Sequence, residues 1–363
     1  DQNGWDKIAF RLDNASKEGT RRGDGVRFDR IGFEECLIAA RDSDHWQTPL
    51  EPSTNGMLRG RGIGCGYWMN GGGKSSVDLM LQADGRVMMN EGSADIGGTR
   101  ASIAMQAAEV LGVSAEDVHP SIPDTDSIGY TGVTGGSRTT YATGYAAWLA
   151  ANQLIEELKC RAGTLWGIGS DDVVFKDGKF SSGTDPELTL SIKDLADKLD
   201  DTGGPVAATA SVNMASAGNG YAVHICDLEI DPHTGKTDVL RYTAVQDVGK
   251  AVHPSYAEGQ IQGGVAQGIG WALNEEYFIQ EDGSMANHTF LDYRMPTSLD
   301  MPMIDTIMVE VPNPMHPFGV RGVGEVPLAP PLPAVANAIK GAIGERLVDH
   351  PLKPGRILEA LGN

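Results

Sequence analysis

Cysteine is scarce in this chain: four in 363 residues, Cys36, Cys65, Cys160 and Cys226. No two stand at CxxC spacing, so neither a zinc ribbon nor an iron–sulfur cluster is readily built from them. Four scattered thiols in a chain this long read as a reducing, cytoplasmic setting. Positive charge is also short, with 29 Lys and Arg against 49 Asp and Glu and a formal net charge of −20. That balance argues against nucleic acid or an anionic membrane as partner, since both are gripped by Lys/Arg patches. No apolar run is long enough to span a bilayer, and Asp1–Asn14 carries no signal-peptide pattern. None of the eight histidines stands in a His-x-x-x-His pair, and no His/carboxylate cluster suits a protein-bound zinc. Lone histidines such as His224 read as core residues. No Gly-x-Ser-x-Gly elbow occurs. With no initiator methionine at Asp1, the chain is expected to be a fragment, a processed subunit or the ordered part of something longer.

What is abundant is glycine: 47 residues, about twice its usual frequency. Alternating Val77, Leu79 and Leu81, then Asp84-Gly85, then Val87 and Met89 predict a hairpin over Ser75–Asn90. A smaller one is expected over Asp172–Ser181 around Asp177-Gly178, and a long one over Gly220–Gly249 turning near His233-Thr234-Gly235. Short helices are expected in Asp1–Ala15 and Gly32–Trp46, separated by a polar linker. Four further helices each follow a glycine cluster: Thr99–Leu111 after Gly97-Gly98, Thr139–Leu158 after Gly135-Gly136-Ser137, Val265–Asn274 after Gly263-Gly264, and Ala334–Ile343 after Gly322-Val323-Gly324-Glu325. A glycine loop feeding a helix N-terminus presents free N–H groups to an anion such as a pyrophosphate. Strands and helices mix without strict alternation, which predicts a layered α+β fold of mixed sheets with packed helices. At this length one large domain or two are expected.

Two nucleotide motifs fail. Gly71-Gly72-Gly73-Lys74-Ser75 resembles a P-loop, but Trp68 stands where the motif needs its first glycine, and a hairpin follows instead of a helix. Gly62-Ile63-Gly64-Cys65-Gly66 is a partial dinucleotide fingerprint with no helix after it, so a glycine-rich strand is the better reading. Glu325 remains. On spacing alone it reads as a solvated turn carboxylate; as the one acid on a glycine-dense loop it is also placed for general-base work. If the chain does redox or hydrolytic chemistry, its reactive centre is expected to come with a cofactor.

At this point an ordered set of motifs resembles the molybdopterin-binding subunit of the xanthine dehydrogenase/aldehyde oxidoreductase family of molybdenum hydroxylases. The set runs Asp95-Ile96-Gly97-Gly98-Thr99; Asp124-Thr125-Asp126; Thr134-Gly135-Gly136-Ser137-Arg138-Thr139-Thr140; Gln246-Asp247-Val248-Gly249; Gly259-Gln260-Ile261-Gln262-Gly263-Gly264; and Gly322-Val323-Gly324-Glu325-Val326-Pro327-Leu328. Arg11-Leu12-Asp13-Asn14 resembles the family's link between its two molybdenum domains. The resemblance implies a molybdenum-cofactor-binding domain. Residues 1–57 would be linker and short helices from the first molybdenum domain, and 58–363 the second, with subdomains at about 58–215 and 216–363. It implies molybdopterin cytosine dinucleotide with molybdenum, no protein metal ligand, and oxidation of an aldehyde or N-heteroaromatic substrate with water as oxygen source. Glu325 would be the general base. Gly97, Gly98, Thr99, Gly135, Gly136, Ser137, Arg138, Thr139, Gln260 and Gly324 would bind the cofactor. The implied partners are a chain carrying the first molybdenum domain and subunits holding iron–sulfur clusters and FAD, in a hetero-oligomer. One departure bears on this: many members read Gly-Gln-Gly where this chain has Gly97-Gly98, so contact there would be through backbone alone. A non-catalytic cofactor-binding or scaffolding subunit is the alternative reading; a nucleotide-binding dehydrogenase, resting on the glycine loops alone, ranks last. Ser127–Thr134 and Ala286–Arg294 are the loops expected near substrate.

Overall fold

The computed structural model describes residues 3–121 and 124–362. The chain opens with α1 (Lys7–Asp13), α2 (Phe33–Asp42), α3 (Asp44–Gln47) and β1 (Leu58–Trp68). It continues through β2 (Gly73–Leu81), β3 (Val87–Glu91), α4 (Thr99–Leu111), β4 (Val118–Pro120) and α5 (Thr139–Trp166). Next come β5 (Val173–Lys176), β6 (Lys179–Ser182), β7 (Thr189–Ser191), α6 (Ile192–Ala196) and β8 (Val206–Met214). The last elements are β9 (Gly220–Ile230), β10 (Thr237–Asp247), α7 (Pro254–Leu273), β11 (Ile304–Val309), α8 (Pro331–Ile343) and α9 (Pro354–Ala360). Strands and helices do not alternate regularly, and the class is α+β.

These elements form two compact units. The first comprises Asp1–Met69, Gly218–Pro314 and Val323–Asn363, the second Asn70–Ala217 and Met315–Gly322. The break at 217/218 lies beside the one expected at about 215/216, whereas none falls at 57/58 and residues 1–69 group with the C-terminal part of the chain. Residues 1–57 are not a detached linker: Ile8, Cys36, Leu37 and Ala40 are buried with Ile63, Val223, Ile225 and Val245 in one core. Strand β1 joins the first unit because it pairs along its whole length with β9, from Leu58 opposite Ile230 to Trp68 opposite Gly220.

The first unit is built on the sheet β1-β9-β10-β11, antiparallel except for the β10/β11 edge. In β9, Cys226, Leu228 and Ile230 pack with residues of α7 and α8, while Val223 and Ile225 pack with α1 and α2. Successive strand residues point to opposite faces, so helices cover both sides. That explains a strand apolar on both faces and the full burial of His224, whose Nδ1 lies 3.0 Å from the Tyr242 hydroxyl and whose pKa burial lowers to about 3.

Helix α8 lies directly on the backbone of β1. A Cβ on Gly60 would stand 2.0 Å from the Ala338 carbonyl oxygen, on Gly62 2.0 Å from that of Ala334, and on Gly64 2.3 Å from that of Pro330. These glycines alternate along the strand and share one face. The glycine-rich strand is therefore a docking track for a helix.

Helix α7 corrects the sequence reading. It does not open at Val265 after Gly263-Gly264 but eleven residues earlier at Pro254, with His253 as its N-cap, and both glycines lie in its interior. A Cβ on Gly264 would come 2.5 Å from Pro327 Cγ, and one on Gly268 2.6 Å from Pro331 Cγ and 2.7 Å from the Leu328 carbonyl oxygen. The helix gives up about 1 kcal/mol of propensity per glycine so that the segment after Glu325 can lie against it. Gly263 has nothing within 4 Å of a built Cβ. Gly263→Ala is therefore expected to stabilise the fold by about 0.5–1 kcal/mol, and Gly268→Ala to destabilise it by about 1–3 kcal/mol. Urea denaturation of both variants measures this, and equal shifts would contradict the close-packing account.

The second unit contains the sheet β4-β3-β2-β8 and a smaller sheet β5-β6-β7. The hairpins expected around Asp84-Gly85 and Asp177-Gly178 are present, with both glycines left-handed (φ +85° and +72°). Helices α4 and α5 cover the larger sheet: Ile103, Ala107 and Leu111 pack with Ala147, Ala150 and Leu154 over Val77 and Leu79. α4 has the expected bounds, set by left-handed Gly98 before it and Gly112 after it. α5 runs on to Trp166, well past the expected end at Leu158.

Candidate active site

In the first unit, Glu325 precedes a single 3-10 turn, Val326–Leu328, that leads into α8. Its side chain is half-buried, and the Trp68 indole Nε1–H donates to its Oε2 at 3.1 Å. Trp68 ends β1 and Glu325 stands just before α8, so the docking of α8 on the glycine track sets the geometry of this pair. The loop is braced from below by Gln246, fully buried, whose Nε2 donates to the Val323 carbonyl at 3.0 Å. The neighbouring Asp247 accepts from the N–H groups of Gly32 and Gly249, both at 3.0 Å. Gln246 thus supports the acid-bearing loop, while Asp247 ties the end of β10 to the start of α2.

Gln260 lies in the first half of α7 and is half-buried. Gly259 and Gly263 beside it have no atom within 4 Å of a built Cβ. The two glycines leave an open strip around a side chain amide. Gly324, also half-buried, precedes Glu325.

A histidine–carboxylate pair missed in the sequence also lies in this unit. His45 Nε2 stands 3.2 Å from Asp227 Oδ2, its Nδ1 2.8 Å from the Thr243 hydroxyl, and Arg61 holds Asp227 through Nε at 2.6 Å and Nη2 at 2.7 Å. It resembles a nucleophilic triad, yet the His45 and Asp227 side chains are 0% and 8% exposed. It is a sealed brace between α3, β1 and β9. Burial pushes the Asp227 carboxyl up, but hydrogen bonds from Arg61 and His45 outweigh it and hold it below the usual carboxylate range. Because the folded pKa is depressed, this stabilisation is complete above the unfolded pKa of about 3.9 and is lost as pH falls through the folded one. Asp227→Asn is expected to cost about 3–5 kcal/mol at neutral pH, with the gap to wild type narrowing below about pH 4. Thermal denaturation at pH 7 and pH 3 (set by that pKa) measures both; a gap that does not narrow would assign the cost to packing.

In the second unit, the Gly135–Thr139 loop leads into α5. Gly136 and Ser137 are both left-handed (φ +68° and +58°) and Arg138 is right-handed, so successive N–H groups form a concave nest of the anion-binding kind. Gly135 is exposed with nothing within 4 Å of a built Cβ, whereas one on Gly136 would meet Gly71 N at 2.8 Å. Thr139 is 4% exposed and its Oγ1 has no partner among the described residues. A buried hydroxyl without a partner costs about 1–3 kcal/mol, and a hydrogen-bonding ligand at the loop would recover it.

Arg138 does something else. Its guanidinium donates to the carbonyl oxygens of Gly72, Lys74 and Gly132, the last at 3.0 Å, and to Ser75 Oγ at 2.8 Å. Burial lowers its pKa. It is a clamp that ties the loop to β2. Gly322 is equally structural, since a Cβ there would stand 2.6 Å from the Ser137 carbonyl oxygen. At the start of α4, Gly97 and Gly98 are left-handed (φ +59° and +77°). Asp95 accepts from Arg100 N at 3.1 Å and from the Thr99 hydroxyl at 3.4 Å, so a carboxylate already serves this helix end.

A buried histidine of this unit also escaped the sequence reading. His316, 5% exposed, sits among Tyr141, Tyr145 and Phe318, and burial lowers its pKa to about 4. Its neighbours in the fold distinguish it, and two of them, Tyr141 and Tyr145, come from α5.

Comparison with known proteins places this geometry. A family model described as the molybdopterin cofactor-binding domain matches residues 39–302. The xanthine dehydrogenase molybdenum-binding subunit of Escherichia coli O157:H7 is 31% identical over 98% of this chain and 50% of its own length. Subunit gamma of the 6-hydroxypseudooxynicotine dehydrogenase complex of Paenarthrobacter nicotinovorans is 32% identical over 86% of this chain and 41% of its own. Among solved structures, aldehyde oxidoreductase from Desulfovibrio gigas has a TM-score of 0.79 at 28% identity, covering 100% of this chain and 39% of that one. Carbon monoxide dehydrogenase from Oligotropha carboxidovorans shares the fold, with a TM-score of 0.86 at 22% identity over 99% of this chain and 50% of that one. The chain spans about half the length of the curated relatives it matches. With motif order, fold and family model in agreement, the chain belongs to the molybdopterin cofactor-binding family of xanthine dehydrogenase and aldehyde oxidoreductase molybdenum-binding subunits.

Proposed function

We propose that this chain is the second half of the molybdopterin-binding part of a molybdenum hydroxylase, oxidising an aldehyde or N-heteroaromatic substrate with water as oxygen source. The observation that carries the reading is Glu325, half-buried on its loop and oriented by the Trp68 indole. The cofactor, in the cytosine dinucleotide form, supplies the oxidising centre. From the first unit the proposal assigns Gln260, Gly324 and Glu325 to it. From the second it assigns the Gly135-Gly136-Ser137 nest and the Thr139 hydroxyl, with backbone contacts from Gly97, Gly98 and Thr99. Arg138 holds the nest in shape. The residues suit such a group: the nest offers N–H groups to a pyrophosphate, Thr139 Oγ1 lacks a partner, and Gly135, Gly259 and Gly263 leave room.

Glu325 acts as general base, taking a proton at its carboxylate from the attacking hydroxyl. Trp68, donating to Oε2, fixes the carboxylate plane and so the direction from which that proton arrives. The relatives named above include enzymes for aldehydes, xanthine and 6-hydroxypseudooxynicotine, which agrees with an electron-poor carbon as target.

The front half of the site is assigned to a chain carrying the first molybdenum domain, with iron–sulfur and flavin subunits completing a hetero-oligomer. In support, Asn274–Met303 leaves Tyr277, Ile279, Phe290, Leu291, Leu299 and Met303 between 61% and 96% exposed. Such a run of apolar surface suits an interface. The test is the purified complex, with metal and released nucleotide identified together. Molybdenum with a cytidine nucleotide supports the reading, and neither present overturns it. Both present without hydroxylation of any aldehyde or heterocycle would make the chain a cofactor carrier.

A further inference from the structure

The first unit holds a second site that shares no residue with the Glu325 loop. A cavity of about 440 Å³ opens between α1, the end of α8 and β1, a size suited to a small molecule. Four cations line it: Lys7 and Arg11 from α1, Lys340 from the last turn of α8, and Arg346 beyond that helix. Their convergence opposes the composition of a chain with net charge −20. Lys7 and Arg11 are also four residues apart on one helix, where like charges cost a few tenths of a kcal/mol. The Lys7 pKa is lowered by burial first and then by the charges of Lys340, Arg11 and Arg346.

Two ordinary explanations fall short. Lys340 and Arg346 suit the C-terminal end of the α8 dipole, but that does not bring Lys7 and Arg11 there. Asp6, the acid in the lining, spends its Oδ1 on the N–H groups of Ile8 (3.0 Å) and Ala9 (2.7 Å) as the cap of α1. Among the described residues neither Arg11 nor Arg346 forms an ion pair with a carboxylate. The rim is aromatic: Trp5 and Phe10 stack with centroids 5.4 Å apart and planes 27° apart, and Trp5 is 60% exposed. A stacked indole with an open face binds planar rings.

We propose that this cavity binds a phosphate-bearing ligand with a planar ring, the phosphate held by Arg11 and Arg346, with Lys7 and Lys340 beside them in the lining, and the ring laid on Trp5. The charge cluster supplies attraction and the indole supplies shape, a division that suits nucleotides.

The test is titration calorimetry on the assembled complex, with AMP, pyrophosphate and inorganic phosphate as probes. AMP is expected to bind, and the double variant Arg11→Ala/Arg346→Ala to weaken it at least about tenfold, the loss of one or two charge-assisted contacts. Trp5→Ala is expected to weaken AMP while leaving pyrophosphate unchanged. An unchanged thermal midpoint and molybdenum content in these variants separates this site from the one at Glu325. No AMP binding by the complex, or binding equal in the double variant, overturns the proposal. AMP and pyrophosphate binding alike, indifferent to Trp5→Ala, overturns the assignment of the ring.

Discussion

Replacing Glu325 with Gln is expected to lower turnover of the assembled enzyme by about a hundred- to ten-thousand-fold, the usual worth of a positioned general base. Gln keeps the size of the side chain and can still accept from the Trp68 indole, so loop and fold should survive. What is lost is the ability to take a proton. Molybdenum content and thermal midpoint should therefore match wild type while kcat falls. Trp68→Phe should act more mildly. It removes one hydrogen bond to a carboxylate, worth about 1.5–3 kcal/mol, and should lower kcat by roughly ten- to a hundredfold, as 1.4 kcal/mol is tenfold. Rate assays with metal analysis on the same samples decide the matter. Near-wild-type turnover in Glu325→Gln would sink the assigned role, and a loss of molybdenum in that variant would recast Glu325 as part of the binding site.

The second large effect concerns the scaffold under that acid. Gly62→Val is expected to destabilise the chain by more than about 3 kcal/mol, the upper range for overpacking. The built Cβ would stand 2.0 Å from the Ala334 carbonyl oxygen and 2.3 Å from Ala338 N. Both are helix backbone atoms, so no side chain can turn aside. α8 would have to lift from β1, and the Glu325 turn that enters it would move as well. Gly23→Ala is the control, since nothing lies within 4 Å of its built Cβ. Denaturant titration of both variants measures the contrast. A folded Gly62→Val protein with normal stability would show that the helix does not need the glycine track.

Hairpins were legible because their signals are local: alternating apolar residues around Asp84-Gly85, Asp177-Gly178 and the turn near Gly235 leave little choice of register. The bounds of α4 were legible for the same reason, with a left-handed glycine at each end. Glycine itself misled in α7. Gly263-Gly264 looked like a loop because glycine is poor in helices, but the residue there answers to Pro327, over sixty positions away. Arg138 looked like a ligand because it follows a glycine loop, and only the folded chain shows its donors turned to the carbonyls of Gly72, Lys74 and Gly132.

By itself, then, the sequence determined the α+β class, the hairpins, the helix that follows each of the Gly97-Gly98 and Gly135–Ser137 loops, and the ordered motifs that place the chain in its family. All of these depend on neighbours within a few residues or on order along the chain. The tertiary structure alone decided that Trp68 orients Glu325 from 257 positions away, that the β1 glycines exist to seat a helix, and that four cations meet beside Trp5. Contacts of that kind are chosen by packing, where close approach of two backbones or of like charges depends on the whole fold, and no local period in the chain records them.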